Sequence, residues 1–333
     1  MDQKLLEIIV CSKCTGDLKC EVEQGVGDDI LDAKLTCVSC DSVFPVTNGI
    51  PRFIEQDNYA SSFGYQWNLF RKEQIDSHNG TTLSADRLWS ETKWTKDELK
   101  GKWILDAGCG AGRFLDAVSQ SEAQIIGLDI SSAIDAAKAN LEGRENVHFV
   151  QASIYEMPFR AGTFDFGYCI GVIQHTPDPE KSIRSVAKMV KDGGKIAVTI
   201  YGREHWYTKL HSKYLLRPFT KRMKKETLLG LIRFVMPVVF PVTNVLFKIP
   251  VLGRFFAFGI PVANYVNEKQ LSNDDLRYSW AVLDTFDMLS PHFDQPMTEA
   301  EASKALNDEG VRDITRQPLG LNLIGSRSIG RSS

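Results

Sequence analysis

At residue 103 the sequence passes from a short strand-like run, Trp103-Ile-Leu-Asp-Ala107, into alternating glycines at 108, 110 and 112, and then into a helical stretch near 112–121. Four more apolar runs follow, Gln124–Asp129, Val147–Gln151, Phe164–Ile170 and 195–201, with helical segments near 131–141 and 180–190. Strands alternating with helices through short loops imply an α/β fold, a parallel sheet covered on both faces. Such sheets bind ligands at the carboxyl ends of their strands. A glycine loop at one of these ends lets a ligand approach the backbone closely.

The spacing limits the ligand. A dinucleotide fingerprint needs glycine at 113, where Arg113 stands, and no Gly-Lys-Ser/Thr follows to make a phosphate loop. Asp106, two residues before the first glycine, suits a ligand with a cationic end better than a pyrophosphate. Asp129 ends the second strand, 21 residues after Gly108, where a carboxylate can accept both ribose hydroxyls. For both acids the alternative is a helix cap or turn residue.

Five of the seven cysteines lie within the first 40 residues. Cys11-Ser-Lys-Cys14 and Cys37-Val-Ser-Cys40 form two C-x2-C pairs separated by 22 residues. That arrangement predicts a four-thiolate zinc site on a hairpin whose tip is Gln24-Gly-Val-Gly-Asp-Asp29. A closed site of this kind is structural, and it stabilises a module too small for a core of its own. Cys20 reads as a strand residue. An odd cysteine count argues against a disulfide framework. Residues 1–10 lack the features of a signal peptide, so the expected compartment is the cytoplasm.

Two resemblances attach to these motifs. Leu5-Leu-Glu-Ile-Ile-Val-Cys11 and Phe44-Pro-Val-Thr-Asn-Gly-Ile-Pro51, around the cysteines, resemble the Trm112-like zinc ribbon, whose members often accompany methyltransferases. Leu105-Asp-Ala-Gly-Cys-Gly-Ala-Gly-Arg-Phe114, Gly127-Leu-Asp-Ile-Ser131, Met157-Pro-Phe159 and Lys191-Asp-Gly-Gly-Lys195 resemble the class I methyltransferases of type 11, which use S-adenosylmethionine (SAM). SAM carries an ammonium and a sulfonium, in keeping with Asp106. The resemblance implies a doubly wound, mostly parallel seven-stranded sheet. It also implies that Gly108, Gly110 and Gly112 shape the loop beside the methionine part, with Asp106 behind it. Asp129 would bind ribose, Ile130 would pack on adenine, and Cys169 would line the cofactor side. At the end of the third strand the family commonly has Asp near the adenine amino group. Here the segment reads Gln151-Ala-Ser153-Ile154, and a serine hydroxyl accepts more weakly than a carboxylate.

Methyl transfer chiefly needs nucleophile and methyl held in line, with a base where the nucleophile must lose a proton. His175, in Gln174-His-Thr-Pro-Asp-Pro179 after the fourth strand, is the candidate base; packing on its loop is the alternative. Asp178 reads as the cap of the next helix. His292 is a second base candidate. In related enzymes an N-terminal helix closes over SAM with aromatic groups, which makes Tyr65 and Trp67 expected cofactor contacts.

Hydrophobic residues are 43% and charged residues 24% of the 333, as in globular proteins, and the net charge of −3 advertises no nucleic acid. That net charge hides an asymmetry. Residues 205–260 contain ten Lys/Arg and one acid. Within them, 228–247 is largely apolar but interrupted by Arg233, Pro237 and Pro241, which argues against a membrane-spanning helix. A lid, a dimer face and a contact at a membrane surface are the readings left open for this insert.

The expected organisation is a zinc-ribbon module at 1–54, a connector with cap helices at 55–102, a SAM-binding core at 103–202, a basic helical insert at 203–297 and the end of the core at 298–333. The expected activity is methyl transfer to O or N of a small or lipid-like acceptor. An RNA methyltransferase is the first alternative, although the acidic hairpin speaks against it. A SAM-binding scaffold without turnover is the second.

Overall fold

The computed structural model describes residues 1–54, 61–318 and 320–328, with the side chains of 61, 62, 206 and 209 excepted. Parts of the connector and of the final segment thus lie outside the described residues.

An antiparallel meander opens the chain: β1 (Leu18–Val26), β2 (Asp29–Cys37), β3 (Val43–Thr47) and β4 (Ile50–Pro51), preceded by α1 (Gln3–Ile8). Cys20 lies in β1, as its strand reading requires. After α2 (Ser61–Leu69) and α3 (Leu83–Thr92) the main sheet begins, with β5 (Trp103–Ala107), α4 (Arg113–Val118), β6 (Gln124–Asp129), α5 (Ala133–Asn140), β7 (Val147–Gln151), β8 (Phe164–Ile170), α6 (Pro179–Met189) and β9 (Val190–Ile200). The insert contributes α7 (Ser212–Thr220), α8 (Lys225–Leu246), α9 (Leu252–Gly259) and α10 (Asp274–Leu289). The chain ends with α11 (Glu299–Asp308), β10 (Val311–Gln317) and β11 (Leu321–Arg327).

The seven strands lie in the order β10-β11-β9-β8-β5-β6-β7. Strands β5 to β9 are parallel, β11 runs antiparallel to β9, and β10, antiparallel to β11, returns to the common direction. Strand order reverses between β5 and β8, so the loops after these two strands diverge and leave a crevice at their carboxyl ends. Local signals agree with this architecture. Asp178 caps α6 by accepting from Lys181 N at 2.9 Å, and Thr298 with Glu301 forms a capping box on α11.

The ribbon is built into the core. Leu5, Ile9, Leu35 and Phe44 share one apolar cluster with Leu105, Val150 and Phe159. Val10 N donates to Pro158 O at 2.9 Å, and Phe53 N donates to Gln151 O at 2.8 Å. The end of the meander therefore covers the β7 edge of the main sheet, which would otherwise expose unpaired backbone groups.

Helix α8 runs unbroken through Pro237 and Pro241. Both prolines are exposed, so the hydrogen bonds they remove are lost on the outer side. On the inner side, Leu228, Ile232, Met236 and Phe240 pack with Val282 and Phe286 of α10. That buried stripe, recurring every three or four residues, holds the helix where local sequence alone would end it. The helix is long and apolar enough to cross a membrane, although a third of its most apolar window is buried inside the protein.

Candidate active site

The loops after β5 and β8 meet at a cavity of about 350 Å³, within the size range of small-molecule sites. Gly108 forms its floor with a φ of +94°, and a Cβ there would sit 2.6 Å from Val172. Only glycine fits without displacing that side chain. Gly108 N and Cys109 N both donate to Leu128 O, at 2.7 and 3.0 Å, which ties the loop to the end of β6.

Asp129 stands at that end. Its Oδ2 accepts from Gly110 N at 2.9 Å, and its Oδ1 accepts from Ser131 N and Ser131 Oγ at 2.8 and 2.7 Å. Among the described residues three of roughly four acceptor directions are thus used, which leaves one, on Oδ2, for a ligand hydroxyl and not the two expected from the sequence. Burial pushes its carboxyl upward, opposed by the Ser131 and Gly110 donors. Asp106 lies fully behind the loop and accepts from Tyr168 Oη at 3.0 Å. Burial raises its carboxyl well above the ordinary range.

His175 is buried on the opposite wall. Its Nδ1 lies 3.0 Å from the carbonyl oxygen of Phe293, which can only accept, so Nδ1 carries the proton. In the neutral ring Nε2 is then the acceptor, and it is buried with no hydrogen-bond partner among the described residues. The rings of Phe63 and Tyr201 flank the imidazole at 5.2 and 5.5 Å between centroids.

The rest of the wall comes from α10 and the insert. Asp284 and Asp287, one turn apart on α10, both line the cavity. Gln74 Nε2 donates to Asp284 at 3.2 Å, and Gln66 Nε2 donates to Asp287 at 3.3 Å. Burial and then Asp287 push Asp284 up to about 7. Burial raises Asp287, while His175 draws it back down. Arg113, which occupies the position that excluded a dinucleotide fingerprint, donates to Ser84 Oγ and Gln74 Oε1 at 3.0 and 2.9 Å. Burial brings it down to about 10.

Of the residues singled out from the sequence, Trp67, Gly108, Gly110, Asp129, Ile130, Ile154 and His175 line this cavity. Others do not. Gly112 opens α4 and faces Ala137 and Leu141. The Ser153 hydroxyl accepts from Tyr155 N at 3.2 Å, a turn bond that occupies it locally. Cys169 points into the core, since alternate residues of β8 face opposite sides of the sheet. Tyr65 packs on Phe286, 6.2 Å between centroids, because helical spacing turns it away from Phe63 and Trp67. His292 is exposed beside a separate shallow pocket. The sequence reading did not select Phe63, Tyr201, Lys213 or Tyr265 as site residues. Three of them are scattered over the 65 positions from Tyr201 to Tyr265, and only the Phe63 neighbourhood carried a signal, its aromatic spacing.

In the ribbon the four sulfurs of Cys11, Cys14, Cys37 and Cys40 lie within 4.8 Å of one another, with nearest pairs at 3.4 to 3.6 Å. Tetrahedral zinc with bonds of about 2.3 Å requires sulfur separations near 3.8 Å, which these four sulfurs reach with shifts of a few tenths of an ångström to about 1 Å.

Both sites have counterparts among known proteins. Residues 105–198 match the family described as "Methyltransferase domain", and residues 2–49 match "Trm112p-like protein". Over 128 residues the chain is 33% identical to a ubiquinone biosynthesis O-methyltransferase of Coxiella burnetii, covering 37% of this chain and 55% of that one. It is 32% identical over 125 residues to the protein of that name from Erwinia tasmaniensis, covering 36% and 51%. A solved complex of the Haloferax volcanii Trm112 methyltransferase activator with a methyltransferase covers 81% of this chain and 100% of that chain, at 12% identity and a TM-score of 0.45. The chain spans about half the length of the curated relatives it matches. It carries a methyltransferase domain, whose cofactor is SAM, at residues 105–198, joined to a Trm112p-like zinc-binding domain at residues 2–49.

Proposed function

We propose that this chain methylates a hydroxyl oxygen of a small or lipid-like acceptor, with His175 as the base. The observation that carries the proposal is the unpartnered Nε2 of His175, in the wall of the same cavity as the glycine loop. Oxygen is preferred over nitrogen because the matched relatives are named as O-methyltransferases.

Gly108, Gly110, Trp67, Asp129, Ile130 and Ile154 would hold the cofactor, with Asp106 behind the loop. SAM, when bound, supplies a methyl carbon activated by its sulfonium. The chain's own part is to place the acceptor hydroxyl against that carbon and to keep water out. Phe63, Tyr201, Tyr265 and Met288 provide largely apolar walls for this purpose. His175 receives the hydroxyl proton at Nε2. The resulting imidazolium is held by the Phe293 carbonyl at Nδ1, in a cavity that Asp287 also lines.

The experiment is transfer of labelled methyl from SAM to a panel of phenols, catechols and lipid extracts. The product is then mapped by mass spectrometry. O-methylated product supports the reading; label found only on nitrogen or on RNA overturns it.

A further inference from the structure

The insert has an outer surface that the methyltransferase site does not use. Six of its apolar side chains are largely exposed: Phe219 (72%) on α7, Phe234 (81%), Val238 (68%) and Val245 (67%) on α8, Val251 (76%) just before α9, and Phe255 (70%) on α9. The three helices are tied to one another and to the domain. Ser212 Oγ at the start of α7 donates to Phe258 O of α9 at 3.1 Å, Gly253 packs against the Phe247 carbonyl that ends α8, and α8 packs on α10. Since a phenylalanine side chain offers about 200 Å², the three rings alone expose on the order of 400 Å². With the valines added, the apolar area exposed on these three linked helices reaches at least the upper part of the few hundred Å² that a soluble monomer ordinarily shows in its largest patch.

Cations surround it. Lys221, Lys224, Lys248 and Arg254 make no ion pair among the described residues, and Arg222, just past α7, donates to the Pro218 carbonyl of that helix at 3.1 Å. By contrast, Lys213 and Arg217 on the inner side both face Asp294. Two cations of the segment thus share Asp294, while Lys221, Lys224, Lys248 and Arg254 have no ion pair among the described residues.

We propose that the outer faces of α7, α8 and α9 bind the surface of an anionic lipid bilayer, with the apolar side chains entering the headgroup boundary and the lysines and arginines meeting lipid phosphates. A second copy of the chain is the poorer occupant, because a two-fold contact would bring two unpaired basic rims together. A spanning helix is also poorer, because α8 already commits its Leu228–Phe240 stripe to α10. The same insert also lines the cavity, through Lys213 on α7 and Ala263 and Tyr265 after α9. The proposal goes beyond the acceptor reading and stands without it, because it is read from binding and not from turnover.

The test is flotation of the full chain with phosphatidylcholine vesicles, pure or containing roughly one third phosphatidylglycerol. We expect binding to the anionic vesicles at low salt that falls at least tenfold in high salt. Replacing Phe219, Phe234 and Phe255 together by Ser, or Lys221, Lys224, Lys248 and Arg254 together by Gln, should each weaken it at least tenfold. Affinity for S-adenosylhomocysteine should stay unchanged in both variants, which shows that they fold. The proposal is overturned if the wild-type chain fails to float with anionic vesicles, if both variants bind like wild type, or if sedimentation shows a dimer that the phenylalanine variant abolishes.

Discussion

The Nδ1 of His175 points at the carbonyl of Phe293, 3.0 Å away and 118 residues further along the chain. That bond joins the loop after β8 to the end of the insert and fixes the ring's proton on the side away from the cavity. It makes the histidine's chemistry depend on how the insert folds back.

Replacing His175 by Ala should lower the rate of methyl transfer roughly 10²- to 10⁴-fold, the usual contribution of a general base. Affinity for S-adenosylhomocysteine, measured by calorimetry, should move less than about threefold, because the glycine loop and Asp129 are untouched. Equal losses in both quantities would assign the residue to packing instead.

Asp129→Ala should weaken binding of the cofactor or its demethylated product by roughly 10- to 100-fold, as expected for a lost charge-assisted hydrogen bond. It also frees the Gly110 amide and both Ser131 donors, so the loop should loosen. Calorimetric affinity equal to wild type would remove Asp129 from the cofactor site.

Metal analysis should find one zinc per chain, and chelation should lower the melting temperature. A coupled effect on cofactor affinity is also expected. Arg52, at the end of the ribbon, bonds Asp135 at 2.7 Å and Gln151 Oε1 at 2.6 Å, while Gln151 Nε2 reaches Ile130 O at 3.3 Å. Arg52→Ala should therefore weaken cofactor binding a few-fold with the zinc retained. An unchanged affinity would mean that the ribbon supports the fold without touching the site.

Asp284 is raised to about 7, so its neutral form favours the fold at low pH, and that contribution is lost as pH climbs from its ordinary value of 3.8 toward 7. Asp284→Asn should thus be more stable than wild type at pH 8, by about 1–3 kcal/mol, since a tenfold difference in proton affinity between folded and unfolded chains is worth about 1.4 kcal/mol. It should match wild type near pH 4. Denaturant unfolding at the two pH values measures this, and a gain at pH 4 alone would reverse the assignment.

Much of the molecule is readable from residues close together in sequence. The C-x2-C pairs bring four sulfurs within reach of one ion, because each knuckle is local and a single hairpin joins them. The strand runs, the glycine loop and the caps at Asp178 and Thr298 are likewise set within a few residues, through apolar burial, backbone freedom and donor satisfaction. Tertiary structure decided the rest. It kept α8 continuous through two prolines, because packing on α10 outweighed the lost hydrogen bonds. It turned Tyr65 and Cys169 inward and brought Tyr201 and Lys213 to the cavity that His175 lines. Positions so far apart in sequence share no periodicity. Their meeting is fixed by which faces of the sheet and helices must leave water together, and that condition exists only in the folded chain.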